Sequence, residues 1–555
     1  MTTRTPRRIR FNGREFLVAG LNLTDNPLLV PPNEMVDAVN ILVGSTLARK
    51  KRGGQAYFCI DDSDEDADYP LNPKNNGGTD GDPILGLYEF WRYDGVSGAP
   101  LSTLLVRQAD KIWAIEARTG VATDLTGSLV LPEGGRVTFQ AFEGKVYWAG
   151  TGFNGVPEGY NVWDGDLGNP ATAVPGANQP PDGTPTFILS HGGRMWGWGV
   201  PGFPYRAYYS EFYDAENWAT SAFGATGTAA DPGSLDMDPF GDPVGINGGV
   251  SFQDRLYLFM RRAAFEVTGQ TINDFVVKTI SRQIGTIGHH TIVPIAGDVL
   301  YASERGIVRL SSSDKAMESD YGYVSRPIKK FWERGLDRNR YDQYVAAYDE
   351  QEGIYMLSAP SKGSTANDTI IAFNASESVW SGIWQGHKAR CLSTYIVDGV
   401  NRILAGREDG IISLTGERTL LDLGEPYTAR FKTGFNYPGQ EIDIQNVWKQ
   451  VTILAAAEGP GQLALSYYVD SKLVGTKSVD LSPGQDLLGS TFILGQSELG
   501  SGVFIPSTEA IKGQGYGLQI EVTFNTENDI EVYGFITEAS PAGSLIGGGR
   551  TSAAS

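Results

Sequence analysis

The chain has 555 residues and a formal net charge of −20, with 41% hydrophobic residues, 70 glycines and two cysteines, Cys59 and Cys391. Such a charge repels phosphate, which argues against a sequence-reading nucleic-acid binder but not against a surface past which DNA slides without sticking. Two cysteines exclude a disulfide framework and fit inert thiols in a reducing compartment, and no apolar run nears the roughly 20 residues that cross a bilayer as a helix.

The N-terminal stretch MTTRTPRRIRFNG is basic, through Arg4, Arg7, Arg8, Arg10 and Arg14, and no apolar stretch of the secretory type follows it. Strands are expected around Glu15 to Val18 and Ile41 to Ala48, then a basic cluster, Arg49-Lys50-Lys51-Arg52. Asp61 to Pro83 is acidic and rich in Gly and Asn, the composition of a long loop. Its Asp61 to Asp68 run has the oxygen chemistry of a Ca²⁺ site but lacks the glycine and terminal glutamate of an EF-hand, so a solvated loop is expected. Residues 1–83 are read as an N-terminal extension.

From residue 84 to 424 one unit recurs: a tight turn, a polar residue, then three to five apolar residues, often with a second turn and strand. ADKIWAIEARTG, EGKVYWAG, GGRMWGWG, QDRLYLFMRRAAFEVTG, AGDVLYASERGIVRL, EQEGIYMLSAP and DGVNRILAGREDGIISL are its copies. Their anchors, Ile112, Val146, Met195, Leu256, Val299, Ile354 and Ile403, recur every 35 to 60 residues or so, near the spacing of four-stranded blades. The expectation is an all-β chain built on a β-propeller of about seven blades, with six as the alternative. In SFQDRLYLFMRRAAFEVTG, Arg261 and Arg262 then fall in a hairpin turn at Met260 to Ala263 rather than in a site. Two insertions interrupt the pattern. One is a loop at 223–243, and the other a helix at 326–341, where Ile328, Phe331, Trp332 and Leu336 share one face.

Candidate chemistry in this region is sparse. His191, His289, His290 and His387 lie in no metal-ligand motif, and no nucleophile elbow occurs. The glycine-rich FGDPVGINGGV lacks the Lys and Ser/Thr of a phosphate loop and reads as a connection between blades. FNASESVWSGIW has a faint likeness to the Asp-box of sialidase-type propellers but lacks its Asp and Gly, leaving a glycan hydrolase as a minor alternative. Trp196, Trp198, Tyr205, Tyr208 and Tyr209 could stack on sugars, although core positions are the commoner use of such residues. No catalytic, cofactor or metal residue is expected.

After about Glu425 the strands lengthen and alternate more cleanly, in ARFKTGFNYP, WKQVTILAAA, GQLALSYYVD, TFILG, YGLQIEVTFN and IEVYGFITEA. They predict a separate β-sandwich of jelly-roll type over 425–540, with a flexible tail at 541–555.

The combination resembles a known group. NEMVDAVNILVGSTLARKKRGGQAYF, with its Asn-led strand, turn and Arg52-Gly53 pair, looks like the N-terminal segment of propeller-type tail proteins of tailed bacteriophages. FQDRLYLFMRRAAFEVTG and SRQIGTIGHHTIVPIAGDVLYASERGIVRLS resemble the middle blades of that group, and the TGFNYP to IEVYGF block its terminal sandwich. The resemblance implies a tail nozzle (tail tubular protein B) or a related portal-plugging, DNA-stabilisation protein, located in the virion and assembled in the host cytoplasm. It implies a ring of about six copies below the portal and adaptor that retains packaged DNA and passes it at ejection, without catalysis or cofactor. Within that reading Leu235, Met237, Asp238 and Phe240, from FGATGTAADPGSLDMDPFGDP, are the candidate channel gate. Arg4, Arg7, Arg8, Arg10 and Arg14 are the candidate docking residues for an acidic adaptor surface. The rival reading is a receptor-binding tail or baseplate protein that holds host glycans on its C-terminal sandwich.

Overall fold

The structure is a computed structural model that describes residues 7–10, 19–58 and 81–544, apart from 94–99, 117–120, 152–156, 219–229, 272, 313–321, 398, 439–441, 458–460, 482–502 and 526–527. The chain is all-β in class, with helical turns confined to connections. Arg4, Arg14, the expected strand at Glu15 to Val18, Cys59, the acidic run from Asp61 and the tail from 545 lie outside the described residues.

Seven sheets follow one another along the chain between residues 84 and 417. The first comprises Ile84–Tyr93, Pro100–Gln108, Lys111–Glu116 and Ala122–Asp124, each antiparallel to the next. The next three start at Arg136–Phe142, Phe187–His191 and Ile246–Phe252, and each has four strands in the same order. The fifth has three strands, from Val293–Ile295 to Gly306–Arg309, and an isolated bridge from Val308 to Tyr323 prolongs it. Val345–Asp349 opens the sixth and Ala389–Val397 the seventh. The fourth strand of the seventh sheet is Gly54–Tyr57, brought from the N-terminal segment to pair with Ile412–Glu417, and the short strands Leu421–Asp422 and Glu425–Pro426 follow it.

The first strands touch in a closed circuit. Each contacts the first strand of the next sheet, and Ala389–Val397 of the seventh returns to Ile84–Tyr93 of the first. Period-two alternation explains how the sheets pack. In Arg255–Met260, the side chains of Leu256, Leu258 and Met260 enter the core shared with the third sheet, while Tyr257 and Phe259 enter the core shared with the fifth. A strand buried on both faces reads as a continuous apolar run rather than an alternating one, which is why LYLFM looks unpatterned in the sequence. The same logic holds at every junction, down to the cluster where Cys391, Tyr395 and Leu404 of the seventh sheet meet Ile84, Leu87 and Leu104 of the first. All seven anchors are buried; six lie on the second strand of their sheet and Ile112 on a third.

Turn chemistry sets the hairpins. Gly192-Gly193, Glu143-Gly144 and Gln253-Asp254 each put two consecutive residues at positive φ, the geometry that suits the twist of a two-residue hairpin. The expected helix at 326–341 is shorter: a 3-10 turn at Arg326–Ile328, an α-helix at Lys329–Arg334 and a second 3-10 stretch at Arg338–Gln343. Ile328, Trp332 and Leu336 are buried as their spacing implies, but Gly335 ends the helix and Asp337 caps the next turn through Asn339 N.

Among the described residues, the C-terminal part consists of one further sheet and of a five-stranded continuation of the sixth, joined to it where Val39 pairs with Ile383. The further sheet runs Ile41–Val43, Arg49–Lys51, Ile530–Ser544, Ile444–Ala457 and Val503–Gly515, with Arg7–Arg10 also paired to Ile530–Ser544. The continuation runs Met35–Val39, Ala429–Thr433, Leu518–Phe524, Gln462–Val469 and Lys472–Asp480. They share one core, in which Val451, Ile453 and Phe535 meet Phe431, Leu465 and Val522. Residues 1–83, set apart in the sequence reading, contribute strands to both halves of the molecule. Residues 541–544, read there as tail, continue a long strand.

Candidate functional site

At the centre of the circuit, on the side where the first strands begin, lies a cavity of about 860 Å³. The geometry follows from topology: strand starts at Arg136, Phe187, Asn247, Tyr344 and Arg390 converge there because every first strand runs the same way through the ring. The segments at 287–290 and 338–343, with Arg261, Asn367 and Glu408, complete much of the wall, and exposed Arg338, Asn339 and Asp342 stand at the mouth.

Arg136 ties its own strand to two other wall segments. Its guanidinium donates to Tyr344 O (2.7 Å), to Arg390 O (3.2 Å) and to Gln343 O. Burial, and then the neighbouring Arg390 guanidinium, pull its pKa down to about 10, so it remains charged at neutral pH. It pairs with no carboxylate among the described residues. Arg390, by contrast, is bound through Nη1 to both oxygens of Glu408, at 3.0 and 2.6 Å. Arg261 pairs with Glu304 at 2.7 Å.

His289 and His290 occupy a 3-10 turn in the same wall. The ring of His289 packs near Phe187 (5.2 Å between centroids) and Trp198 (5.7 Å), and its Nδ1 accepts from Gly249 N at 3.3 Å. Burial pushes its pKa down to about 4 and that of His290 well below the usual range, so both rings are neutral at pH 7. Among the described residues, no group of three or more His, Cys, Asp and Glu could hold a metal ion.

The gate quartet lies on the edge of the third sheet and the connection after it. Leu235 belongs to its outer strand, Gly233–Asp236, and is half-buried. Met237 is buried in the core between the third and fourth sheets, and Phe240 stacks on Phe265 at 6.0 Å. Asp238 is exposed, and its Oδ1 accepts from Phe240 N at 3.0 Å. Of the N-terminal arginines, Arg7, Arg8 and Arg10 form a strand paired through the backbone with Ile536 to Ala539, while Arg4 and Arg14 lie outside the described residues.

Arg261 and Arg262 do sit in the turn between two strands, and both pair with Glu304 of the fifth sheet, tying neighbouring sheets together. Trp196, Trp198, Tyr208 and Tyr209 are buried in the cores between sheets, and Tyr205 packs partly against one of them.

Sequence reasoning passed over the cluster Arg49 to Arg52, which it took as a basic stretch. Arg49, Lys51 and Arg52 are all buried. Arg52 pairs with Asp422 through Nη1 at 2.9 Å, donates to Asn40 Oδ1 at 3.1 Å, and lies 4.0 Å from the ring centre of Tyr427. No protein-family model matches the chain, and a comparison with curated proteins gives no match either.

Proposed function

We propose that this chain is a structural virion protein: a component of a tail nozzle, or of a ring that closes the DNA channel until ejection. In this reading the seven sheets are the blades of a seven-bladed propeller, and the C-terminal sheet with the continuation of the sixth is a jelly-roll-like sandwich. The observation that carries it is the joining of circuit and sandwich by one N-terminal segment, which supplies strands to both and closes the last sheet. A closed disc bolted to a second β-unit is a rigid, edge-protected block, and such blocks tile into cyclic rings. The charge of −20 supports a wall that DNA passes with little adhesion. The copy number is proposed as six, with the adaptor or portal-proximal proteins and other tail proteins as partners. No catalytic step belongs to this reading.

Of the gate quartet, Asp238 is the member that would present charge to a channel, with Leu235, Met237 and Phe240 holding its connection on its own sheets. Arg7, Arg8 and Arg10 would dock an acidic adaptor from the edge strand they form. The test is a cryo-EM reconstruction of the particle that carries this chain. Six copies around the tail axis are expected. A few copies at the periphery would overturn the nozzle reading and favour a receptor-binding protein.

A further inference from the structure

We propose that the axial cavity binds a hydroxylated carboxylate of sugar-acid size. Its volume of about 860 Å³ is that of a small-molecule site. Its charge is opposite to that of the chain. Arg136, Arg261, Arg338 and Arg390 line it against two carboxylates, Asp342 and Glu408, in a protein of net charge −20. Glu408 is taken up by Arg390, and Arg261 by Glu304 outside the lining. Among the described residues, Arg338 and Arg136 pair with no carboxylate: Arg338, exposed at the mouth, donates to Tyr341 Oη and Glu304 O, and Arg136, within the wall, to three backbone carbonyls. A guanidinium preorganised in this way, facing a cavity, is suited to pairing with a carboxylate.

The polar wall asks for more than charge. Asn367 is 3% exposed, and its Nδ2 is used on Gln343 O and Ala389 O, both at 2.8 Å. Its Oδ1, and Oε1 of Gln343, are buried acceptors of lining residues without a donor among the described residues. Buried acceptors call for a partner. Hydroxyl groups supply donors, and a fully deprotonated anion such as sulfate supplies none. Phe187 and Tyr341 bring aromatic side chains to the lining, a usual complement to the C–H groups of a sugar. Charge plus hydroxyls in one small molecule is the chemistry of a uronic or sialic acid, either free or as an acidic residue of a polysaccharide.

The experiment is isothermal titration of the full chain with galacturonate, glucuronate and N-acetylneuraminate, with glucose and sodium sulfate as comparators, and then with an oligogalacturonate. Saturable binding of at least one acidic sugar is expected, with glucose and sulfate at least about tenfold weaker. Arg136→Gln should weaken it by about tenfold or more. Because Arg136 also holds the wall, Asn339→Trp at the exposed mouth serves as a second variant that should block entry while leaving the melting temperature unchanged. Binding of the oligomer as tightly as the monomer would assign the site to a glycan chain; binding of the monomer alone would assign it to the free acid. No binding of any acidic sugar at 10 mM or so, equal binding of sulfate, or binding unaltered in both variants would overturn the proposal.

Discussion

Two buried charges define what single residues do here. Arg107 and Glu158 face each other with side chains 0% and 1% exposed, and Nη2 lies 3.1 Å from Oε2. Arg107 also donates to Pro132 O at 2.7 Å, so it braces the crossing from the first sheet to the second. Removing one partner leaves the other charge buried and alone. Glu158→Ala and Arg107→Ala should each cost about 3–5 kcal/mol, whereas the double change Arg107→Met with Glu158→Leu should cost far less than their sum. Urea midpoints of the four chains decide it; additive costs would mean the two side chains do not act as a pair. His387 gives a pH prediction. It is 2% exposed, its Nδ1 has no hydrogen-bond partner among the described residues, and burial, then Arg52 and Arg407, hold its pKa well below the usual range. His289 and His290 are depressed in the same direction. The folded chain therefore binds fewer protons than the unfolded one below about pH 6.5, so stability is full above that pH and falls as the pH drops through it. Each such histidine contributes a slope of about 1.4 kcal/mol per pH unit. The melting temperature should fall between pH 7 and pH 5.5 or so, and His387→Phe should flatten the decline. An unchanged slope in that variant would show that His387 does not stay neutral on folding. None of this was legible beforehand: Arg52 lies 370 residues from Asp422, and sequence patterns report neighbours along the chain, not partners across it.

At the scale of the element, Gly54–Tyr57 matters most, because it closes the seventh sheet from the far end of the chain. Gly54 passes directly over the backbone of Leu421: a Cβ placed there would stand 2.1 Å from Leu421 O. Backbone cannot swing aside as a flexible side chain can, so Gly54→Ala must lift the strand off its partner or move the turn beneath it. We expect a loss of about 2 kcal/mol or more. Faster exchange of the amides of residues 54–57 and 412–417, with amides of the third sheet unaffected, should locate the damage. Uniform loss of protection across all sheets would instead mean that closure and the rest of the ring are one unit. The hairpins themselves were readable, because their signals are local. Gly192-Gly193 and Glu143-Gly144 dictate tight turns, and the anchors mark strands that proved buried. The closing strand was not readable, since GQAY carries no sign of which edge it will join.

For the molecule as a whole, the boundary expected at residue 425 separates two stretches of sequence but not two cores. The sixth sheet continues through Met35–Val39 into the C-terminal sheet, with Val39 opposite Ile383 on one side and Met35 opposite Thr433 on the other. Side chains stitch the same seam: Trp384 Nε1 donates to Ile41 O at 2.8 Å, and Asn374 Nδ2 to Val43 O at 2.9 Å. One apolar cluster takes in Leu300, Tyr355 and Phe373 of the ring together with Phe431, Trp448 and Phe535 of the sandwich. The change in strand length that suggested a boundary reflects the span of the sandwich sheets, whereas independence depends on whether apolar contacts cross the joint. Since they do, neither half can unfold without exposing the other's core. Calorimetry on the full chain should give a single transition, with the van't Hoff enthalpy close to the calorimetric one. A chain ending at Gly424 should lose the ring as well as the sandwich, because Met35, Ile41 and Trp380, all buried in the intact molecule, would be laid open. Two resolved transitions, or a truncated chain that keeps the near-ultraviolet signature of its packed tryptophans, would mean that ring and sandwich are separate domains joined only by the N-terminal strands.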